Sequence, residues 1–238
     1  MDDMNGTRDR IASGAWQLTA DDLTLLWHGA VLRPFLITRA GSADCDSQGA
    51  RSRLRERLGG RFDRLFSALN RPDQRIMVNG WDLRQPDDPQ GRIRTLGVFR
   101  GEVAYLLRQL PGRSIAHSGD IVVTEHSSLA LARAVVHSLP EVDAGPHVRM
   151  LLDSGPEARE FLDTPARRVG TIEFSVRRRI GSGLTSVACT LGWRDLADSG
   201  RYVLVNGRPP TATSVDRELL TRVLHALLTA PADPAAFD

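Results

Sequence analysis

The sequence predicts an α/β protein of the α+β type, with a central antiparallel sheet, flanking helices and two halves in a quasi-twofold relation. Residues 171–179 (TIEFSVRRR) and 185–193 (TSVACTLGW) alternate apolar and polar side chains. This alternation is typical of antiparallel strands that bury one face. Strand-like segments also occur in two consecutive runs, and each run ends in an amphipathic helix. Such runs favour an antiparallel sheet over alternating parallel units.

The first half begins with a short strand and a helix in residues 15–30, and Thr19 is the expected N-cap of that helix. A longer amphipathic helix is predicted from Arg51 to Asn70, weakened or kinked at Gly59-Gly60. Its apolar stripe consists of Leu54, Leu58, Phe62, Leu65, Phe66 and Leu69.

Strands follow this helix and end in a second helix. They are predicted over residues 75–83, 92–100, 101–110 and 119–124. The first two flank residues 84–91 (RQPDDPQG), whose prolines and glycine indicate a turn. The closing helix is predicted within 127–140, capped by Ser127 or Ser128 and stopped by Pro140.

The second half is predicted to repeat this order. Its elements are a short helix over 155–163, strands over 171–179, 185–193 and 201–205, and a helix over 214–228. Ser214 is the expected cap of the last helix. Around the short helix, the region 141–168 contains frequent glycine and proline and shows little periodicity.

The hairpin in residues 192–210 (GWRDLADSGRYVLVNGRPP) raises the question of whether it is scaffold or the wall of an active site. Trp193 is predicted to face the core, because it extends an alternating inward series. That series consists of Val187, Cys189 and Leu191. Asp195 and Asp198 are predicted to lie in a polar turn. The alternative is that Trp193 stacks on a ligand.

The two closing helices can be aligned with each other, which indicates an internal duplication. Leu131 aligns with Leu219 and Val135 with Val223. We therefore predict one domain over residues 1–238, with pseudo-repeat halves of about 14–140 and 141–230.

Composition excludes several classes of protein. The 41% hydrophobic content is sufficient for a sizeable core, and the net charge of +2 gives no general argument for nucleic acid or membrane binding. No apolar run approaches a membrane span, and MDDMNGTRDR contains no leader-like apolar region, so a cytoplasmic protein is expected. The cysteines Cys45 and Cys189 lack metal-ligand spacing and are expected to be separate thiols, although pairing stays open.

No pattern in the sequence predicts catalysis, a metal or a cofactor. The sequence GSGLTS (181–186) lacks the lysine of a phosphate loop, and histidine-serine neighbours on a strand point to opposite faces. The alternative function is an arginine-mediated nucleic-acid-binding regulator. Its basis is the arginines of the 51–70 helix and the run Arg177-Arg178-Arg179, although Glu56, Asp63 and Glu173 interleave with them.

Taken in order, several segments resemble the EspG family of proteins associated with type VII (ESX) secretion in actinobacteria. The resemblance is carried by LTADDLTLLW, ALNRPDQRIMV, RTLGVFRGEVAYLL, RRVGTIEFSV, LGWRDLADSGRYVLV and SVDRELLTRVLHALL. It implies a cytosolic, non-catalytic chaperone that binds the helical tip of the PPE protein in a PE–PPE heterodimer. The chaperone itself is expected to be a monomer or homodimer.

The resemblance also implies binding residues. One group is the loop Gln85, Pro86, Asp87, Asp88, Pro89 and Gln90. The other comprises Val215, Leu219, Val223 and Leu227 in the region of the last helix, and these four are alternatively core residues. The chain departs from the family at 141–168, where relatives tend to have a longer helical stretch that forms part of the binding region.

Overall fold

The computed structural model describes residues 14–27, 34–37, 47–153, 155–180 and 183–229. Cys45 lies outside the described residues, as do the side chains of Arg178, Arg179 and Val187. Among the described cysteines, Cys189 is a free thiol, half-buried.

In the described ranges, ten strands form one antiparallel sheet. They are β1 Trp16–Leu18, β2 Gln74–Asp82, β3 Arg92–Arg100, β4 Val103–Gln109, β5 Ile121–Ser127, β6 Arg149–Leu151, β7 Ala166–Ile180, β8 Gly183–Leu196, β9 Gly200–Val205 and β10 Thr211–Ser214. Their order across the sheet is β1-β5-β4-β3-β2-β7-β8-β9-β10-β6.

Six helices accompany the sheet in the part of the chain that the structure describes. They are α1 Ala20–Leu26, α2 Ser47–Leu58, α3 Gly60–Asn70, α4 Leu131–His137, α5 Pro156–Asp163 and α6 Arg217–Thr229. Two short 3₁₀ turns, Pro89–Gly91 and Ser128–Ala130, complete the regular structure of the described residues.

The strand order reads the same way outward from the β2–β7 pair at the centre of the sheet. On one side, β2 to β5 form a meander, and β1, the strand that opens the half, pairs with β5. On the other side, β7 to β10 form a meander and β6 pairs with β10. Each meander is followed by a helix, α4 or α6. The predicted fold class, a central antiparallel sheet with flanking helices, is confirmed.

The helices divide between the two faces of the sheet. Helices α4 and α6 pack on one face, over a core that contains Ile76, Ile172 and Trp193. On the opposite face, α1, α2 and α3 cover the first-half strands, where Leu96 and Tyr105 are buried. Helix α5 lies on that same face at the other end of the sheet, where Phe161 packs on Tyr202, Leu196 and Ala212.

The hairpin around Trp193 is scaffold. The Trp193 side chain is 1% exposed and lies over a facing pair of glycines, Gly80 in β2 and Gly170 in β7. A Cβ atom added to Gly170 would meet the backbone oxygen of Asn79 as well as the indole, so the glycines make room for the ring. The ligand-stacking alternative for Trp193 is therefore wrong.

The prediction for Asp195 is also wrong. Asp195 is a buried residue of β8, directly opposite Arg201 of β9, and only Asp198 lies in the turn. The Arg201 Nε and Nη2 atoms donate to the two carboxylate oxygens at 2.7 and 2.9 Å. Arg201 also donates to the Pro140 carbonyl oxygen at 3.0 Å, which ties β9 to the end of α4.

Helix boundaries follow the sequence signals in part. Thr19 caps α1 in a capping box, as predicted, and Gly59, with a φ of 55°, separates α2 from α3. Neither Ser127 nor Ser128 forms a side-chain cap, because a 3₁₀ turn precedes α4. The cap predicted for Ser214 is wrong: its hydroxyl donates to the Gly145 carbonyl oxygen, and Asp216 accepts the Leu219 N–H at 2.7 Å.

Candidate protein-binding surface

The middle of the sheet is half exposed on the face that carries α1–α3 and α5. We call this surface the central strip. Its members are Arg75, Met77, Asn79, Trp81, Arg92, Arg94, Thr171 and Glu173. They point to one face because they occupy alternate positions of β2, β3 and β7 and are paired across those strands.

The strip is open because the two halves carry different helices between their first and second strands. Three helices, α1 to α3, lie between β1 and β2 in the chain, whereas α5 alone lies between β6 and β7. Helix α3 covers β3 and β4, and α5 packs near β9 and β10. The strands between these two groups of helices therefore keep half-exposed side chains.

Arginines dominate the charge of the central strip. The Arg75 guanidinium lies 5.2 Å from the Trp27 ring centroid, and that of Arg92 lies 6.0 Å from the Trp81 ring centroid. The Nε atoms of Arg75 and Arg92 are buried and make no hydrogen bond within the described part of the chain. Burial lowers the pKa of Arg75, and burial together with the charge of Arg92 lowers the pKa of Arg94. The guanidinium groups of Arg75 and Arg94 are thus partly desolvated, and those of Arg92 and Arg94 repel each other.

The loop predicted to bind a partner borders this strip. Gln85, Pro86, Asp87 and Gln90 are exposed and Asp88 and Pro89 half-exposed. Asp88 accepts the Gln90 N–H at 2.8 Å, and Arg92 donates to the Pro86 carbonyl oxygen at 2.8 Å. The loop is therefore a fixed turn, attached through Arg92 to the strip.

Asp82 anchors the base of the loop. Arg84 donates to its carboxylate through Nε, at 3.1 Å, and Nη2, at 2.8 Å, while the Arg168 Nε lies 3.5 Å away. The hydrogen bonds from Arg84 outweigh the opposing effect of burial and lower the pKa of Asp82 to about 2. Arg168 lies 3.8 Å from Asp195, so the ion pairs continue from the loop into the buried Asp195–Arg201 pair.

The other predicted binding group lies on the opposite face of the sheet. Val215 is buried, and Leu219 and Leu227 pack partly on the core beneath α4 and α6. Val223 is half-buried, whereas Leu220, Leu224 and Leu228 form the buried face of α6. The structure therefore does not bring these four residues together with the 85–90 loop.

Two cavities, of about 430 and 350 Å³, open between α3 and strands β4 and β5 and share Arg64 in their walls. Burial and the nearby Glu125 raise the pKa of Tyr105 to about 12. The His126 Nε2 lies 2.7 Å from the Thr124 hydroxyl, and burial lowers the pKa of His126. Within the described ranges, no carboxylate bonds to this imidazole to complete a catalytic triad.

The clusters of arginines noted in the sequence are spread over the structure, and some of these arginines are paired with acidic side chains. On α2, Arg55 pairs with Asp63, and the Arg57 Nη2 lies 2.6 Å from an Asp22 carboxylate oxygen. Among the residues that the structure describes, no group of three or more His, Cys, Asp or Glu side chains is placed to hold a metal ion. None of the described helices is both long and apolar enough to cross a membrane.

The fold of the described residues is similar to that of a secretion chaperone of known structure. The structure is similar to that of the type VII secretion system chaperone EspG5 of Mycobacterium tuberculosis, which was solved in complex with the PE25-PPE41 dimer. The TM-score is 0.58 at 14% sequence identity, over 92% of this chain and 97% of that chain. This similarity concerns the fold.

The chain belongs to the EspG family: the sequence model of that family matches residues 21–226. The predicted family is thereby confirmed. A search among curated proteins finds no match.

Proposed function

We propose that this protein is a chaperone of type VII secretion that binds a PE/PPE pair in the cytoplasm and keeps it soluble before export. The observation that carries the proposal is membership of the EspG family over residues 21–226. The proposal is further supported by the fold that the chain shares with a chaperone solved together with a PE–PPE dimer. No catalytic step and no cofactor are part of it.

The physical basis is the protection of an apolar helical end. The exposed tip of a helical protein is prone to aggregation, and a partner that covers the tip lowers the concentration of the aggregating species by mass action. Covering requires a preformed surface, because each segment that becomes ordered on binding reduces the net affinity. The turn at 85–90, with internal hydrogen bonds and an anchored base, is such a surface.

We assign the partner contact to Gln85, Pro86, Asp87, Asp88, Pro89 and Gln90, together with the adjoining strip. Val215 is assigned to the core because it is 1% exposed. Leu219, Val223 and Leu227 lie on the face opposite the strip and are treated as packing residues of α6.

Co-expression with a PE/PPE pair tests the proposal. The expected result is a stoichiometric complex that elutes as one peak in gel filtration. Two independent peaks, with the PE/PPE pair unaffected by the presence of this protein, would contradict the proposal.

A pair of bulky substitutions tests the assigned contact. Asp87→Trp places a large ring on an exposed loop residue and is expected to weaken the complex by at least about tenfold, because the ring occupies space that a closely packed partner fills. Asp198→Trp makes the same change in the exposed turn between β8 and β9 and is expected to bind as the wild type does. Equal binding by both variants would remove the loop from the interface.

A further inference from the structure

We infer that the central strip binds an acidic α-helical segment of the partner, with carboxylates placed over Arg92 and Arg94. This inference rests on the proposed function and specifies its partner surface. It follows from the dimensions of the strip, from its positive charge and from the partial desolvation of its arginine side chains.

The dimensions of the strip fit one helix. The floor is three strands wide at each level: β3, β2 and β7 near Trp81, and β2, β7 and β8 near Arg75. Further β3 residues on this face, Leu96 and Val98, are buried, and Arg194 of β8 is bonded to α5. At the usual strand spacing the floor is about 10 Å wide. An α-helix with side chains is about 10–12 Å in diameter. From Arg75 to Trp81 along β2 the floor extends about 20 Å, the length of a helix of about 13 residues. One helix would therefore occupy the space that α1–α3 leave open.

The charge of the strip is positive and has little internal compensation. Glu173 is the acidic member, and it makes no ion pair within 4 Å with any charged group of the described residues. The Arg94 side chain is half-buried and makes neither a hydrogen bond nor an ion pair in the described part of the chain. A partly desolvated guanidinium without a partner is unfavourable, so a carboxylate that reaches it gains a strong interaction.

The basic residues of the strip are all arginines, and this favours carboxylates as the partner groups that bind there. Guanidinium groups are planar and bind carboxylates through two parallel hydrogen bonds, which fixes the orientation of the partner. Trp81, beside Arg92, offers apolar contact to the same helix. Glu173 lies on β7, away from β3, so we expect a basic or amide side chain of the partner helix above it.

A nucleic acid fits the strip less well. Glu173 lies near the middle of the floor, where it repels phosphates, and the arginines are recessed between α3 and α5 rather than exposed. Phosphates would also find fewer free arginines on the outer surface of α2, because Arg55 and Arg57 are already paired with acidic side chains.

The test compares Arg94→Glu with Arg53→Glu, which reverses an exposed charge on α2 outside the strip. The Arg94 side chain makes no hydrogen bond or ion pair within the described residues, so the variant is expected to fold, which circular dichroism verifies. Binding is measured by titration with a PE/PPE pair and by fluorescence anisotropy with a labelled peptide of four Glu-Ala-Ala-Ala repeats. A peptide with lysine in place of glutamate is the matched control.

The inference predicts that Arg94→Glu weakens binding of both probes by at least about tenfold, while Arg53→Glu and wild type behave alike. If the PE/PPE pair binds wild type and Arg94→Glu equally, the strip inference is wrong and the proposed function stands. If no PE/PPE complex forms, the proposed function fails, and the peptide arm alone decides the inference. Binding of a single-stranded oligonucleotide that depends on Arg94 in the same way would assign the strip to nucleic acid instead.

Discussion

Replacing Asp195 by leucine should destabilise the fold more than any surface substitution in the same hairpin. Asp195 and Arg201 are 1% and 2% exposed, and two short hydrogen bonds join them. In Asp195→Leu the Arg201 guanidinium stays buried, with the Pro140 carbonyl oxygen as its remaining close acceptor. Breaking one partner of such a pair costs about 3–5 kcal/mol of unfolding free energy.

The double variant Asp195→Leu/Arg201→Met separates the loss of attraction from the burial of an unpaired charge. Because apolar pairs of similar volume often replace buried ion pairs without loss, the double variant should recover most of the stability. Arg168 lies nearer to Asp82 than to Asp195, so its ion pair with Asp82 should persist in both variants. The loss of stability should therefore come from the Asp195–Arg201 pair alone.

Urea denaturation followed by tryptophan fluorescence measures both effects, with an unchanged denaturant slope as the sign of unchanged cooperativity. Asp198→Ala, in the exposed turn, is the control and should lie within about 0.5 kcal/mol of wild type. If Asp195→Leu costs less than about 1 kcal/mol, or if the double variant is no more stable than the single one, the reasoning about the buried charge is wrong.

Three further predictions concern other parts of the scaffold. Because the folded-state pKa of Asp82 is lowered to about 2, its ionisation stabilises the fold above about pH 4 and this contribution is lost as the pH falls towards 2. Asp82→Asn should therefore be less stable than wild type at pH 7, and a stability gap of the same size at pH 2 would contradict this. Gly170→Ala should lower the free energy of unfolding by about 1–3 kcal/mol, because the added Cβ displaces the Asn79 backbone oxygen and the Trp193 indole. Gly60→Ala, with open space at its Cβ, should not destabilise the fold. Equal denaturation midpoints for the two variants would refute the packing argument. Leu224→Ala should lower the free energy of unfolding, measured by urea denaturation, by about 2–5 kcal/mol, because Leu224 lies on the buried face of α6. Leu227→Ala should lower it clearly less, and the reverse order would show that the buried and exposed faces of α6 are wrongly assigned.

The alternation of side chains predicted much of the sheet because it reflects burial of one face. It placed Trp193 in the core, and the same alternation applied two residues further would have placed Asp195 there. The polar character of Asp195 favoured a turn instead. Its burial depends on Arg201, whose position opposite Asp195 is set by the register of β8 and β9.

Elements whose stability comes from distant partners could not be predicted. Strand β6 has three residues and no distinctive pattern, and it forms because β10 offers it an open edge. The caps near residues 127 and 214 were misassigned because several polar residues stand close together there and only the backbone path selects among them.

The loop at 85–90 could be located from its prolines and aspartates, whereas the central strip could not be identified from sequence. Arg92 and Arg94, two residues apart on a predicted strand, indicate a shared face. Whether that face is covered depends on which strands α3 and α5 reach, and this is a property of tertiary packing.

The repeated strand order bears on how many partners one chain can accept. Symmetric homodimers commonly present two equivalent surfaces. A chain with two halves of the same strand order would also present two equivalent surfaces if both halves carried the same helices. Here the segment after β1 contributes three helices and the segment after β6 only one, so one of the two corresponding positions is already filled from within. The proposed function therefore predicts one bound pair for each chain, and light scattering on the purified complex should give a mass that corresponds to this one-to-one ratio.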